Sequence, residues 1–181
     1  MLLKALGSCV LLAAALVVPA LGGREASRAE PRWTSSFAPT DAGFSIDLPV
    51  RERRWMRATE LQAGFEGFNT RDVEKRALHA VVFGQPERPW TVKDARAYLE
   101  RIAAVETGAR IERTSHQGRP GFELVSSSAE RTLRYRVFLD GGRVVIVSAL
   151  STAEDADTAR FFSSLEFATR TVVAGAVASR R

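Results

Sequence analysis

Thr132–Leu150 reads Thr-Leu-Arg-Tyr-Arg-Val-Phe-Leu, then Asp-Gly-Gly-Arg, then Val-Val-Ile-Val-Ser-Ala-Leu. Two β-rich runs flank Asp140-Gly141-Gly142. Asp and Gly tolerate the positive φ of a tight turn, so the stretch predicts a β-hairpin. In the first arm Leu133, Tyr135, Val137 and Leu139 share one face. Thr132, Arg134 and Arg136 share the other until Phe138 breaks the alternation. The second arm, Val144–Val147, is apolar on both faces, the pattern of a strand covered on both sides. The hairpin therefore predicts a sheet with a layer packed on at least part of each face, the covers being two helices and the N-terminal segment.

Downstream, Ser151 and Glu154 have capping-box spacing, which starts a closing helix with Ala156, Ala159, Phe162 and Leu165 as its buried stripe and Phe161 beside it. Residues 169–181 end in Ser179-Arg180-Arg181 and are expected to be a disordered tail, since their apolar run is far too short to span a bilayer. Upstream, Arg110–Gln117 and Phe122–Ser127 read as strands joined by a turn at Gly118-Arg119-Pro120-Gly121. Before them, Thr91 and Asp94 cap a helix whose Val92, Ala95, Leu99 and Ile102 form an apolar stripe, with Gly108 as its stop.

Thr59–Thr70 and Arg76–Gly84 read as paired strands around a polar turn at Arg71–Lys75. Gly64 and Gly67 in the first strand suggest a bulge or a close backbone approach. Phe44-Ser45-Ile46-Asp47-Leu48-Pro49 alternates strictly, which makes it a half-buried strand that Pro49 ends. Residues 23–40, polar and carrying Pro31 and Pro39, are expected to be a linker, with Trp33 and Phe37 packing on the edge of one domain spanning 41–168.

The chain has 181 residues, 45% of them apolar and 26% charged, which suits one globular domain. Its net charge of +5 is dispersed among both signs. No helix concentrates the basic residues and no aromatic nucleic-acid-binding motif is present, so nucleic acid is not an expected partner. The single cysteine is Cys9.

Met1-Leu2-Leu3-Lys4 and the apolar run Ala5–Leu21, with small residues before polar Arg24-Glu25, match a secretory signal peptide over 1–22. Cleavage is expected at Gly22 or Gly23. A mature chain starting there has no thiol, hence no disulfide, thiolate metal site or cysteine nucleophile. Leu6-Gly7-Ser8-Cys9 also matches a lipobox, with lipidation at Cys9 as the competing outcome. Against it, most of the apolar run follows Cys9 instead of preceding it. The expected location is the periplasm or the exterior, with lipid anchoring as the minority reading.

Chemistry-bearing patterns are sparse. Arg51, Arg53, Arg54, Trp55 and Arg57 form the densest basic cluster. It suits either an anionic surface contact anchored by Trp55 or a solvated loop or strand with Trp55 turned into the core, and the shortness of the cluster and its Glu52 favour the latter. His79 and His116 have no metal-ligand spacing, and no Gly-x-Ser-x-Gly elbow, phosphate loop or dinucleotide fingerprint occurs. No catalytic residue, metal site or cofactor is assigned. A hydrolase would need one of the histidines in a cleft, bonded to a Ser and a carboxylate.

The order of elements resembles the PsbP/Mog-like α/β/α sandwich superfamily, which includes DcrB-type bacterial envelope proteins. The residues carrying the likeness are Phe44–Pro49, Gly118-Arg119-Pro120-Gly121-Phe122-Glu123, Arg134–Leu139 with Asp140-Gly141-Gly142-Arg143, and Phe161-Phe162-Ser163-Ser164-Leu165. It spans about residues 37 to 168. Val144-Val145-Ile146 departs from the aromatic that relatives often place after the turn. The resemblance implies an antiparallel sheet flanked by helices, no catalytic residues, and an adaptor or accessory role. The expectation is an α+β fold, a twisted antiparallel sheet of six to seven strands with two helices. Its expected partner is an envelope protein, with a small apolar ligand or lipid carried in an apolar pocket between sheet and helix as the alternative, and anionic lipid as a further candidate partner.

Overall fold

The computed structural model describes residues 33–39, 41–49, 53–56, 61, 63–73, 75–152 and 156–168. The strands are β1 (Trp33–Phe37), β2 (Phe44–Pro49), β3 (Arg53–Met56), β4 (Phe65–Asp72), β5 (Ala77–Gly84), β6 (Arg110–His116), β7 (Arg119–Ser127), β8 (Thr132–Asp140), β9 (Arg143–Ser151) and β10 (Glu166–Phe167). The helices are α1 (Val92–Ala103), between β5 and β6, and α2 (Ala156–Ser163), between β9 and β10. Seven strands form one sheet in the order β3-β4-β5-β9-β8-β7-β6, and β1-β2-β10 form a smaller one. Every neighbouring pair is antiparallel. The chain is thus α+β, with α1 carrying it from the middle of the large sheet to its β6 edge.

The β8–β9 hairpin lies inside the large sheet and turns on Gly141 and Gly142, both at positive φ. Its faces separate as the alternation requires. Tyr135, Val137, Val144 and Ile146 pack with Ala95 and Leu99 of α1. Phe138, Val145, Val147 and Ala149 pack on the opposite side with Phe44, Ile46 and Leu48 of β2 and Phe161 and Phe162 of α2. Two cores on two faces explain why Val144–Val147 of β9 is apolar on both faces. The β1–β2 unit is the N-terminal cover that this pattern demands.

Several local expectations are corrected. The stretch read as a linker contains β1, which pairs with β2, while Trp33 and Phe37 pack on the domain as expected. Phe37 stacks on Phe68 with ring centroids 4.8 Å apart. The β6–β7 turn is not the four residues from Gly118 to Gly121. It is Gln117-Gly118, both at positive φ, and Arg119, Pro120 and Gly121 already belong to β7. Pro120 is tolerated because the His116–Arg119 pair closes the turn. The next residue in an antiparallel ladder turns its nitrogen away from that partner, and the β7–β8 ladder starts only at Gly121.

The β4 strand begins at Phe65 and ends at Asp72, later at both ends than its sequence pattern suggests. Helix α1 has the expected capping box on Thr91 and Asp94 but ends at Ala103 with Ala104 as its C-cap, short of Gly108, and Val92 is exposed. In α2 the buried side chains are Thr158, Phe161 and Phe162, while Ala156 and Ala159 face outward. Two adjacent phenylalanines rotate the short helix onto the core and override the alanine spacing. Glu154 of the second expected capping box, the signal-peptide segment and the 169–181 tail lie outside the described residues.

Candidate functional site

Gly22, Gly23, Cys9, Arg51 and Arg57 lie outside the described residues. Arg53, Arg54 and Trp55 lie on β3, an outer strand of the large sheet, opposite Thr70, Asn69 and Phe68 of β4, and Arg54 is exposed. The basic cluster is therefore partly an edge strand, where charge also discourages unwanted pairing.

The two histidines lie on different strands of the large sheet, β5 and β6. His79 is buried on β5, with its ring edge-on to Phe161 and its Nε2 3.3 Å from the Thr158 hydroxyl of α2. His116 closes β6, and its Nε2 donates to the Leu165 carbonyl oxygen at 2.6 Å. In both cases Nε2 faces a structural partner. Among the described residues, no three His, Cys, Asp or Glu side chains group as metal ligands would.

The described cleft lies at the tips of the β6–β7 and β8–β9 hairpins. Its volume is about 890 Å³, and Trp90, Gln117, Arg119, Leu139, Asp140 and Phe167 contribute to its lining. Turn geometry builds it: Gln117-Gly118 and Gly141-Gly142 place two hairpin ends side by side. Arg119 organises the floor. Its Nε lies 3.3 Å from Asp140 Oδ1 and its guanidinium stands 4.9 Å over the Phe167 ring. Its terminal nitrogens donate to the Gln117 and Ala168 carbonyl oxygens. Arg119, the cation among the described lining residues, is thus engaged in fastening the segment that follows β10.

The perturbed titrations lie elsewhere. Burial pushes the Tyr135 phenol up to about 12, helped by the Glu106 carboxylate. The Thr91 hydroxyl, the Thr91 backbone N–H and then Arg88 hold Asp94 down at about 2. One belongs to a core and the other to a helix cap, so neither marks a reacting group.

A charged, half-buried face was missed in the sequence because it alternates like any wet strand face. Arg134 and Arg136 of β8 lie beside Glu123 of β7, and both guanidiniums face the ring of Phe162. Among the described residues, no helix is long and apolar enough to cross a membrane.

No family model and no curated protein matches the chain. Its fold is similar to the solution structure of cyanobacterial PsbP (CyanoP) from Synechocystis sp. PCC 6803, with a TM-score of 0.52 and 14% identity over 80% of this chain and 98% of that one. The likeness shows a PsbP-like fold.

Proposed function

We propose that the chain is an exported, non-enzymatic bacterial envelope protein that works as a protein-binding adaptor or accessory factor. The observation that carries this reading is the structural engagement of its chemistry-bearing side chains. His79, His116 and Arg119 each bond to groups that hold strands and helices together. The PsbP-like fold and the signal-peptide pattern support it, and within that fold the DcrB-type envelope proteins are the group its sequence resembles.

The alternative is a carrier of a small apolar ligand or lipid. It calls for a cavity between sheet and helix lined by Phe, Tyr and Leu. The hairpin-tip cleft has instead a mixed lining that includes Gln117, Arg119, Asp140 and Glu166. The structural engagement of His79, His116 and Arg119 makes the adaptor the preferred reading.

Native mass spectrometry of the protein isolated at natural abundance from its own envelope fraction tests both. A chain starting near Gly23 with a protein attached supports the adaptor. A small bound mass supports the carrier, and a diacylglyceryl group on Cys9 moves the protein to the membrane surface. Contact of Arg51, Arg53, Arg54, Trp55 and Arg57 with anionic lipid is a separate proposal. Changing the four arginines to Gln should abolish salt-sensitive vesicle binding, and unchanged binding removes the idea.

A further inference from the structure

Arg134 and Arg136 share one carboxylate. Arg136 Nε donates to Glu123 Oε1 at 2.8 Å, and Arg134 Nε stands 3.5 Å from the same oxygen. Arg134 Nε is buried without a hydrogen-bond partner. Both guanidiniums rest on the Phe162 ring, 5.5 and 5.0 Å from its centre. Phe162 is itself buried in the core under α2, so this platform is fixed. The three charged side chains remain 33%, 24% and 24% exposed.

Strand register extends the face outward. Glu112, Glu123 and Arg136 lie in one row across β6, β7 and β8, and Arg110, Val125 and Arg134 lie in the next. Directly opposed residues in an antiparallel ladder project to the same side. Arg110 and Glu112 are exposed. These two rows thus present three arginines and two glutamates on the side where α2 packs.

We propose that this face is the docking surface for an acidic segment of a partner protein, with Arg134 and Arg136 receiving one of its carboxylates. Two guanidiniums facing one carboxylate leave an excess cation and unfilled donor capacity. A guanidinium fork fits a carboxylate in a two-pronged fashion, and a ring beneath holds the fork in place. The interspersed Glu112 and Glu123 repel a uniform polyanion or an anionic bilayer. They suit a protein partner whose charges are patterned to match. The inference rests on the adaptor reading and names the part of the surface it uses.

The test is site-specific photo-crosslinking of the full chain in its own envelope. The photoreactive residue replaces Glu112 or Val125 on the face, or exposed Val105 away from it as control. The expected result is a protein adduct from positions 112 and 125 but not 105, with Asp or Glu at the linked site. Its yield should fall about tenfold in the Arg134→Gln/Arg136→Gln double variant. The Arg134→Lys/Arg136→Lys pair, which keeps charge and stem, guards against loss of folding and should still weaken the adduct. An adduct undiminished in both folded pairs, a lipid or glycan adduct, or a protein adduct confined to position 105 overturns the docking face. The position-105 result leaves the adaptor reading standing. Absence of any adduct, together with a bare native mass spectrum, overturns both.

Discussion

The Gln117 side-chain oxygen accepts the backbone N–H of Phe167 at 2.8 Å, joining residues 50 positions apart. Gln117 is the first turn residue of the β6–β7 hairpin, at φ 48°, and Phe167 ends β10. His116 and Arg119 bond the neighbouring carbonyls of Leu165 and Ala168. One hairpin tip therefore bonds three of the four residues Leu165–Ala168 near the end of the described chain, and that clasp seats Phe167 in the core beside Phe138.

Gln117→Ala removes the clasp's central acceptor and leaves the left-handed backbone in place. The expected loss is about 1–2 kcal/mol in urea unfolding, with faster hydrogen exchange at the Phe167 amide. Gln117→Gly loses the same bond but relieves the strained φ, so it should be the milder variant by about 1 kcal/mol. Wild-type stability and unchanged Phe167 exchange in the alanine variant would show that the clasp is dispensable.

The hairpin at Asp140-Gly141-Gly142 and the two-sided covering of β9 were legible because turn chemistry and hydrophobic period agree there. The α1 cap was legible because Thr91 and Asp94 complete a local motif. What escaped was decided at a distance. Thr34-Ser35-Ser36 has no strand pattern, and β1 exists because β2 offers it an edge. The two-residue β10 exists because it pairs with β2, and His116, Gln117 and Arg119 bond the residues around it. The site suffered most. Arg134 and Arg136 look like solvated strand positions until Phe162, 26 residues beyond Arg136, is packed beneath them.

The α1 cap should titrate unusually low. Asp94 accepts from the Thr91 hydroxyl, the Thr91 N–H and Arg88, and its pKa falls from 3.8 to about 2. Because the folded value is depressed, the stabilisation is present above the unfolded value and is lost as pH falls from about 4 through about 2. A carboxyl-carbon NMR titration should place Asp94 near 2 in the wild type and nearer 3.8 in Thr91→Ala. That variant also loses about 1 kcal/mol as the N-cap disappears. An unmoved Asp94 midpoint would assign the shift to something other than the cap.

At the alkaline end the control passes to Tyr135. Its phenol is buried under α1, beside Glu106, and the protonated form is favoured up to about 12. In the unfolded chain a tyrosine ionises near 10, so between about 10 and 12 the unfolded state has already released a proton that the folded state keeps. Stability from this group is therefore complete below about 10 and declines through about 12, by roughly 2–3 kcal/mol in all. Urea midpoints followed across that range should drop more steeply in the wild type than in Tyr135→Phe. Parallel curves would mean that the ring is not buried in the neutral form.

Gly121 and Gly118 lie three residues apart and should respond differently to one methyl group. A Cβ on Gly121 would lie 2.2 Å from the Val137 carbonyl oxygen and 2.8 Å from Phe138 Cδ1. That carbonyl belongs to β8, which is hydrogen-bonded on both sides within the sheet and cannot withdraw without breaking ladders. Gly118 has open space where its Cβ would go, and its constraint is the positive φ of 75°. Gly118→Ala is expected to cost about 1–2 kcal/mol, a backbone penalty with the fold intact. Gly121→Ala should cost about 3 kcal/mol or more, or prevent folding, because crowding at a rigid strand has no cheap relaxation. Equal melting temperatures for the two variants would refute the close approach of β7 to β8 and with it the register that places Glu123 beside Arg136.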